Sequence, residues 1–360
     1  MPINGNWEHS ADFLRQTALA LSQKYTVIIY DQNNAHFFLK KPSTVHYPKH
    51  KNIFFHRVKY FIPLRRINWI EKLNHQLSFW LLLQKYKNVE KVLWIFYPNF
   101  YDLSKIKNKK MISLYDCVDY SENLQKEIQL IRNVDYFFVN SLTLKKLHKN
   151  QIKKPLYIDA QGFFLPDEKK LKKPPLKKIK PTIGFVGGIN YRLDFPLLNE
   201  LINKHPSWQF IFYGPRQKDT TKDHLYKTDY WLKKIKKHEN VVFDQSKNRY
   251  EVYGLIQNLD VTIIPYNIKI AFNKYCYPMK IFEYLYFKKP IISSAIEELK
   301  LKKFNKFIKI AKTNSGWEKY IKDFLENQPS LIIKEQGKKL AIANSWDQKI
   351  KKILKLIFVD

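Results

Sequence analysis

Short apolar runs bounded by turn residues recur along the chain and alternate with longer stretches in which apolar residues repeat every three or four positions. Runs rich in β-branched and aromatic residues predict buried strands at 25–30, 92–97, 110–115, 134–140, 182–186, 209–213, 241–243, 261–264, 291–293 and 307–310. The periodic stretches predict helices at 7–21, 66–86, 120–131, 248–258, 315–325 and over most of 331–358. This alternation predicts an α/β protein with two doubly wound domains that face a cleft.

A lysine- and proline-rich segment interrupts the alternation near the middle of the chain. Residues 166–180 have few apolar side chains and cannot contribute to a core, so we predict a linker there. The linker separates an N-terminal domain at 1–165 from a C-terminal domain that starts at 181.

The most informative stretch begins with the predicted strand at 261–264, which Pro265 ends. Pro278 stands where a proline is tolerated, at the first position of a new helix. Lys280, Glu283 and Tyr284 follow at spacings that place them on one face of that helix. A helix N-terminus and a first-turn lysine together favour binding of an anion such as a diphosphate. The alternative is a solvated lysine in a lysine-rich chain.

Glycine is scarce, with nine in 360 residues, yet Gly184, Gly187, Gly188 and Gly214 lie within a span of 31 residues. Such a cluster indicates backbone positions that no other residue can occupy. Gly187 and Gly188 follow the predicted strand at 182–186. A strand, a glycine turn and a helix start form the arrangement that lets a backbone approach a phosphate.

Two carboxylates, Asp116 and Asp119, follow the predicted strand at 110–115. The carboxyl ends of strands are where α/β folds place their ligands, so both are candidate site residues. The alternative for each is a helix cap, and Asp119 directly precedes the predicted helix at 120–131.

The formal charge of +32 comes from lysines spread through the whole chain. Nucleic acid, an anionic membrane surface or a polyanionic substrate could each exploit this charge, and the base composition of an AT-rich genome could also produce it. Because arginine, the usual reader of base edges, is scarce, we rank a membrane surface above nucleic acid. The aromatic and basic segment 53–69 favours docking on anionic headgroups through Arg57, Lys59, Arg65 and Arg66; the alternative is a strand with alternating core residues.

The cysteines and the apolar runs bear on the compartment. Cys117 and Cys276 provide neither a disulfide framework nor a metal-ligand spacing. No apolar run approaches the length of a membrane span, and the polar start at 1–10 does not resemble a signal peptide. We therefore expect a cytoplasmic protein.

Four strings resemble the GT-B glycosyltransferases of the family 4 type. Pro-Met-Lys-Ile-Phe-Glu-Tyr-Leu at 278–285, with Lys-Lys at 288–289 and Pro-Ile-Ile-Ser-Ser at 290–294, is similar to that family's donor-binding signature. Leu-Trp-Ile-Phe-Tyr-Pro at 93–98, Tyr-Asp-Cys-Val-Asp at 115–119 and Asn-Ser-Trp at 344–346 are similar to other elements of the same branch. Lys289 replaces the usual glycine before the proline, and the Glu-x7-Glu pair of many members is incomplete here, because Glu283 matches only its second glutamate.

The resemblance implies a GT-B fold of two Rossmann-like domains. The first, 1–165, would bind the acceptor, and the second, 181–335, the nucleotide-sugar donor. Residues 336–360 would form a C-terminal helix that packs back toward the first domain.

The resemblance also implies roles for the candidate residues. Glu283 would accept hydrogen bonds from ribose hydroxyls, and Asp116 or Asp119 would act as general base if the transfer needs one. The donor diphosphate and its surroundings would involve Gly187, Gly188, Arg192, Pro278, Met279, Lys280 and Tyr284. No Asp-x-Asp motif is apparent, so we expect neither a metal nor a bound cofactor, with the nucleotide-diphosphate sugar as co-substrate.

The resemblance therefore implies a glycosyltransferase that moves a sugar from a nucleotide-diphosphate sugar to a glycan or lipid-linked acceptor in cell-surface polysaccharide synthesis. It would work in the cytoplasm, at the inner face of the membrane if the basic segment docks there. One alternative is a sugar-nucleotide epimerase of the same fold. Another is a non-catalytic basic protein that binds polyanions or nucleic acid, whose affinity would fall steeply with salt.

Overall fold

The computed structural model describes residues 1–3, 7, 13–37, 44–64, 66–100, 102–121, 123–149, 152, 154–171, 180–217, 222–244 and 249–358. The chain forms two compact units. Unit 1 consists of Met1–Gly162 and Trp346–Asp360, and unit 2 of Phe163–Ser345.

Among its described residues, unit 1 contains two four-stranded sheets. Its strands are β1 Pro2–Ile3, β2 Val27–Phe37, β3 Thr44–His46, β4 Ile53–Tyr60, β5 Lys91–Ile95, β6 Met111–Cys117, β7 Tyr136–Val139 and β8 Leu156–Ile158. Its first four helices are α1 Phe13–Leu21, α2 Asn68–Lys85, α3 Leu124–Asn133 and α4 Leu142–Lys149. One sheet has the order β1-β2-β4-β3, in which only the β3–β4 pair is antiparallel; the other has the parallel order β5-β6-β7-β8.

Successive residues of the second sheet face two different cores, because side chains alternate along a strand. Ile95, Tyr115 and Phe137 pack with α2, α3 and α4. Their neighbours Trp94 and Leu114 pack with α1 and with the end of the chain. Both faces of this sheet are therefore buried, which explains why its strands are almost continuously apolar.

Unit 2 is a doubly wound domain, and its described strands form one sheet. Its strands are β9 Thr182–Val186, β10 Gln209–Tyr213, β11 Val241–Asp244, β12 Val261–Ile264, β13 Ile291–Ser294 and β14 Ile308–Ala311. Its helices are α5 Phe195–Lys204, α6 Lys222–Ile235, α7 Arg249–Asn258, α8 Ala271–Tyr275, α9 Lys280–Tyr286, α10 Asn314–Glu326 and α11 Leu331–Ala343. All strands are parallel in the order β11-β10-β9-β12-β13-β14, so the winding reverses between β9 and β12. This is the strand order of dinucleotide-binding domains, and the predicted α/β class is confirmed.

The last helix, α12 Trp346–Phe358, returns to unit 1. Ile350, Ile353 and Ile357 enter the core that also contains α1. Lys349 is fully buried there, with its Nζ 2.9 Å from Asp116 Oδ1 and 2.6 Å from Asp159 Oδ2. Burial and the two carboxylates therefore fix this helix to the sheet.

The chain divides into its two units at other residues than the predicted domain boundaries. The chain enters unit 2 at Phe163, whereas we expected the linker to begin at 166. Glu168, inside the predicted linker, accepts hydrogen bonds from Tyr286 Oη (2.8 Å) and Lys338 Nζ (3.0 Å), which fixes this segment to unit 2. Residues 172–179 lie outside the described residues.

The segment 336–360, predicted as one C-terminal helix, is divided between the two units. Residues up to Ser345 belong to unit 2, because α11 packs against α9, and only α12 belongs to unit 1.

The segment 53–69 is not one surface element. Ile53–Tyr60 forms β4, between β2 and β3, and its Ile53, Val58 and Tyr60 are buried. The strand interpretation of this part is therefore correct. Of the four basic residues, Arg57 and Lys59 are half-buried and Arg66 is exposed, while Arg65 lies outside the described residues.

Candidate functional site

The loops that follow β9 and β12 meet at the reversal point of the unit 2 sheet, where open α/β sheets bind their ligands. Gly187, after β9, has a φ of 143°, and Gly214, after β10, has a φ of 146°. A β-carbon on Gly214 would collide with the Gly187 carbonyl, and the Gly187 N–H donates to the Tyr213 carbonyl oxygen at 2.8 Å. Both positions therefore need glycine. The Gly188 N–H has no hydrogen-bond partner among the described residues and is available to a ligand oxygen.

Lys280 extends from the first residue of α9 to this glycine turn. Its Nζ donates to Tyr266 Oη and lies 4.4 Å from the Phe185 ring centroid and 4.6 Å from that of Tyr266. A β-carbon on Gly187 would lie 3.0 Å from the same Nζ, so the ammonium and the turn are in contact. The structure thus brings together two residues that the sequence separates by more than ninety positions.

Arg192 approaches the same aromatic ring. Its guanidinium carbon lies 4.5 Å from the Tyr266 ring centroid and 4.6 Å from that of Phe272, and its Nε donates to Asn273 Oδ1 at 2.7 Å. Asn273 is fully buried and its Nδ2 donates to the Arg192 carbonyl oxygen at 3.0 Å, which holds the loop around the arginine. Lys280 and Arg192 therefore contact a common ring, and their mutual repulsion favours an anion between them.

Glu283 lies one turn further along α9 and is half-buried. Burial raises the pKa of its carboxyl, and the opposing fields of Arg249 and Lys280 lower it in part. Arg249 begins α7, and its guanidinium carbon lies 5.0 Å from the Phe164 ring centroid. A half-buried carboxylate beside two cations can accept hydrogen bonds from ligand hydroxyls.

Sequence reasoning missed Tyr266, Asn273 and Arg249. Tyr266 follows Pro265 directly at the end of a strand, a position that could have identified it. Asn273 and Arg249 gave no local signal, because their roles depend on loops that are close only in three dimensions.

Two predicted donor residues are in the core. Tyr284 is fully buried and its Oη accepts a hydrogen bond from the Val186 N–H at 2.9 Å, so it holds the end of β9 and does not face a ligand. Its assignment as a donor contact is therefore wrong. Pro278 is buried two residues before α9, which begins at Lys280, so it does not occupy the first helical position; Met279 is half-buried beside it.

Asp116, a predicted general base, is fully buried. Its Oδ1 accepts a hydrogen bond from Lys349 Nζ at 2.9 Å, and its Oδ2 accepts one from Trp94 Nε1 at 3.2 Å. Burial raises the pKa of the neighbouring Asp159 to about 7, against the opposing field of Lys349. A carboxylate with both oxygens engaged and no exposure cannot take a proton from an acceptor, so we withdraw Asp116 as the base.

Asp119 is half-buried, and its backbone oxygen accepts from the Cys117 thiol at 3.4 Å. It does not cap the following helix. Asn123 caps α3 by accepting from the Lys126 N–H at 3.2 Å, because the helix begins four residues later than predicted. Asp119 therefore remains a candidate base.

One described group could offer metal ligands. Atoms of Cys117, Glu127 and His148 lie within 4.8 Å of one another, and all three residues are buried. Tyr115 Oη donates to Glu127 Oε1 at 2.7 Å, and His148 Nδ1 donates to the Leu144 carbonyl oxygen at 2.8 Å. His148 Nε2 then lies 3.2 Å from Glu127 Oε2, where a proton completes the network. The group fits a buried imidazolium–carboxylate pair.

No family model matches the chain. A curated relative, the "Putative teichuronic acid biosynthesis glycosyltransferase TuaH" of Bacillus subtilis, is 29% identical over 113 residues, which are 31% of this chain and 26% of that protein. The match thus spans about a quarter of the length of that relative.

Solved structures match almost the whole chain. Sucrose-phosphate synthase from Thermosynechococcus elongatus has a TM-score of 0.68 at 13% identity and covers 96% of this chain and 93% of its own. A glycosyltransferase from Rickettsia africae has a TM-score of 0.67 at 14% identity, with coverages of 99% and 96%. Anabaena HepE in complex with UDP-glucose has a TM-score of 0.68 at 12% identity, with coverages of 99% and 98%. The chain has the fold of the GT-B glycosyltransferases, as the resemblance implies.

Proposed function

We propose that this chain is a glycosyltransferase that takes a sugar from a nucleotide-diphosphate donor bound to unit 2. One observation supports this most directly: Lys280 and Arg192 contact the ring of Tyr266 beside the Gly187–Gly188 turn. Two cations, and an N–H of Gly188 that has no partner among the described residues, form a binding site for an anion with several oxygens at the reversal point of the sheet. HepE, which has the same fold, is known in complex with UDP-glucose, so a UDP-sugar is the first donor to test.

The same residues would promote the transfer. As the bond between the sugar and the diphosphate breaks, negative charge develops on the leaving oxygen. Lys280 and Arg192 would stabilise that charge, as a divalent metal does in other enzymes. We propose that activity needs no added divalent metal, which a comparison of rates with and without EDTA tests directly.

We propose a glycan or lipid-linked acceptor in cell-surface polysaccharide synthesis, and a cytoplasmic site of action at the inner face of the membrane. The similarity to a teichuronic acid biosynthesis protein supports the polysaccharide role. If the reaction needs a general base, Asp119 is the candidate, since its carboxylate is the more accessible of the two that were predicted.

Thermal shift with a panel of UDP-, GDP- and ADP-sugars, followed by an assay of donor hydrolysis, tests the proposal. We expect one nucleotide class to raise the melting temperature. We also expect the enzyme to hydrolyse that donor slowly when no acceptor is present. Interconversion of two nucleotide sugars without release of nucleotide would favour the epimerase. No shift with any donor, together with salt-sensitive binding of polyanions, would favour a binding protein.

A further inference from the structure

Helix α2 is apolar on two opposite faces. Its inner face places Ile70, Phe79, Leu82 and Leu83 in the core of unit 1. Its outer face is exposed to solvent but contains Trp69 (65% exposed), Leu73 (42%), Leu77 (36%), Trp80 (46%) and Leu81 (41%). The spacing of 69, 73, 77 and 80 places these residues on one side of a helix. A helix that is apolar on two faces packs against a second apolar phase.

The apolar surface continues before the helix. Leu64 is 63% exposed and Ile67 is 40% exposed in the turn that leads into α2. We define the α2 outer face as these exposed apolar side chains together: Leu64, Ile67, Trp69, Leu73, Leu77, Trp80 and Leu81. Exposed apolar patches of this kind mark interaction surfaces, because apolar side chains in contact with water do not stabilise the folded monomer.

Cations surround the α2 outer face. Arg66, Lys72, Lys85 and Lys87 are exposed on the helix and its ends. Between residues 64 and 87 the sequence has a single acidic residue, Glu71, whose carboxylate lies 4.0 Å from His75 Nε2, toward the inner face. The surface is therefore apolar at its centre and positive around it.

We propose that the α2 outer face docks on the headgroup region of an anionic lipid bilayer, with the helix parallel to the membrane plane. Tryptophan is enriched at membrane interfaces, and lysine and arginine at the rim of an apolar stripe attract anionic lipid. The two tryptophans are eleven residues apart, about 16 Å along the helix axis, so both reach the same depth only if the helix lies flat. Among the described residues, no helix is long and apolar enough to cross a membrane.

Charge decides between a bilayer and a second copy of the chain. In a two-fold dimer through this face, the same cationic rim would oppose itself, in a chain with a net charge of +32. An anionic bilayer neutralises the rim. This surface would bring the enzyme to a lipid-linked acceptor, and that role, unlike the docking itself, rests on the proposed function.

The test uses the full chain and two kinds of vesicles, one of phosphatidylcholine alone and one of phosphatidylcholine and phosphatidylglycerol in equal parts. We expect co-sedimentation with the anionic vesicles, weakened by added salt because exposed charges are screened within about 8 Å at physiological ionic strength. The double variant Trp69→Ser/Trp80→Ser should lose at least tenfold in partitioning. Both side chains are exposed, so the melting temperature should stay near that of wild type.

The matched control is Leu331→Ser/Ile332→Ser on α11, where two apolar side chains are 68% and 70% exposed in the other unit. We expect this control to partition as wild type does. Equal partitioning of the tryptophan variant and wild type would overturn the proposal, and so would a wild-type dimer that the tryptophan variant abolishes and that vesicles do not disrupt. Thermal shift with UDP-glucose on the same proteins separates the two inferences, since failure of vesicle binding with an intact donor shift refutes only the docking surface.

Discussion

Individual residues of this chain show how far chemistry depends on the neighbours of a side chain. Lys280 and Asp116 both lie within sequence strings that resemble one enzyme family, yet their surroundings differ. Lys280 is half-buried with its ammonium against the glycine turn. Asp116 is fully buried in an ion pair with Lys349. Only the first can exchange a protein contact for a ligand contact, so only the first remains in the proposed site.

Loss of a donor contact should weaken binding without unfolding the protein. We expect Lys280→Ala and Glu283→Gln each to lower nucleotide-sugar affinity about tenfold or more, because a hydrogen bond to a charged group contributes about 1.5–3 kcal/mol. The melting temperature without ligand should hardly change, since removing Lys280 also relieves its repulsion by Arg192. Isothermal titration with the donor found by thermal shift measures this. The exposed Lys302→Ala is the matched control, and donor affinity equal to wild type in either site variant would remove that residue from the site.

Substitution of the two aspartates should change two different properties, turnover for Asp119 and thermal stability for Asp116. Asp119→Asn should lower turnover with little change in melting temperature if a general base is needed. Asp116→Asn should instead lower the melting temperature, because it removes one of the two carboxylates that compensate the buried Lys349. Turnover and thermal unfolding of both variants give the answer. A stable Asp116→Asn protein with slow turnover would restore Asp116 to the chemistry.

At the scale of elements, a polar network joins α3, α4 and β6. Glu127 on α3 accepts from Tyr115 of β6 and pairs with His148 of α4, all in the apolar interior of unit 1. Burial alone would lower the pKa of His148, but the hydrogen bond and charge of Glu127 raise it above the ordinary value. The pair thus links the packing of two helices to pH.

The sign of this linkage follows from the raised pKa. The stability that protonated His148 contributes is fully present below its ordinary pKa of about 6.5 and is lost as pH rises through the folded-state pKa. We expect the loss of unfolding free energy in His148→Gln, relative to wild type, to be larger at pH 6 than at pH 9. Urea unfolding at both values measures it, with the exposed His46→Gln as control. A difference that does not change with pH would show that the pair is not held by a proton.

The path of the whole chain matters because α12 completes unit 1 from the far end of the sequence. Lys349 lies 233 positions from Asp116, and its ammonium is the charge that compensates two buried carboxylates. Burial alone would lower the pKa of Lys349, but Asp116 and Asp159 raise it above the ordinary value. The ion triad makes unit 1 depend on a helix that is distant from the rest of the unit along the sequence.

Replacing one member of the ion triad should lower the free energy of unfolding much more than replacing all three. We expect Lys349→Met to lower the unfolding free energy by about 3–5 kcal/mol, because it leaves buried carboxylates uncompensated. The triple variant Lys349→Met/Asp116→Asn/Asp159→Asn should recover a large part of that loss. Urea unfolding of both proteins compares the two values. A triple variant no more stable than the single one would mean that packing of the lysine stem, and not charge, stabilises α12.

Much of this fold and part of the site were predictable from local pattern. β-branched runs ended by proline or glycine gave most of the strands, because strand formation and turn chemistry depend on near neighbours. The scarcity of glycine predicted that Gly187 and Gly214 occupy positions restricted to glycine. Their φ angles confirm this, because other residues rarely adopt such angles whatever their surroundings. Their spacing on one helix marked Lys280 and Glu283 as candidate residues, and their role in donor binding stays a prediction.

The tertiary structure alone decided the rest. Asp116 and Tyr284 both lie in strings that resemble the enzyme family, yet both are fully buried, the first against α12 and the second against β9. A ligand therefore cannot reach them, and no local sequence pattern predicts such burial. Arg192 and Lys280 share the ring of Tyr266 only because parallel strands place their loops side by side. The helical period at 66–86 predicted α2, but which of its apolar faces stays uncovered depends on what else packs there. Sequence thus determined the elements, whereas long-range packing determined which side chains a ligand or a membrane can reach.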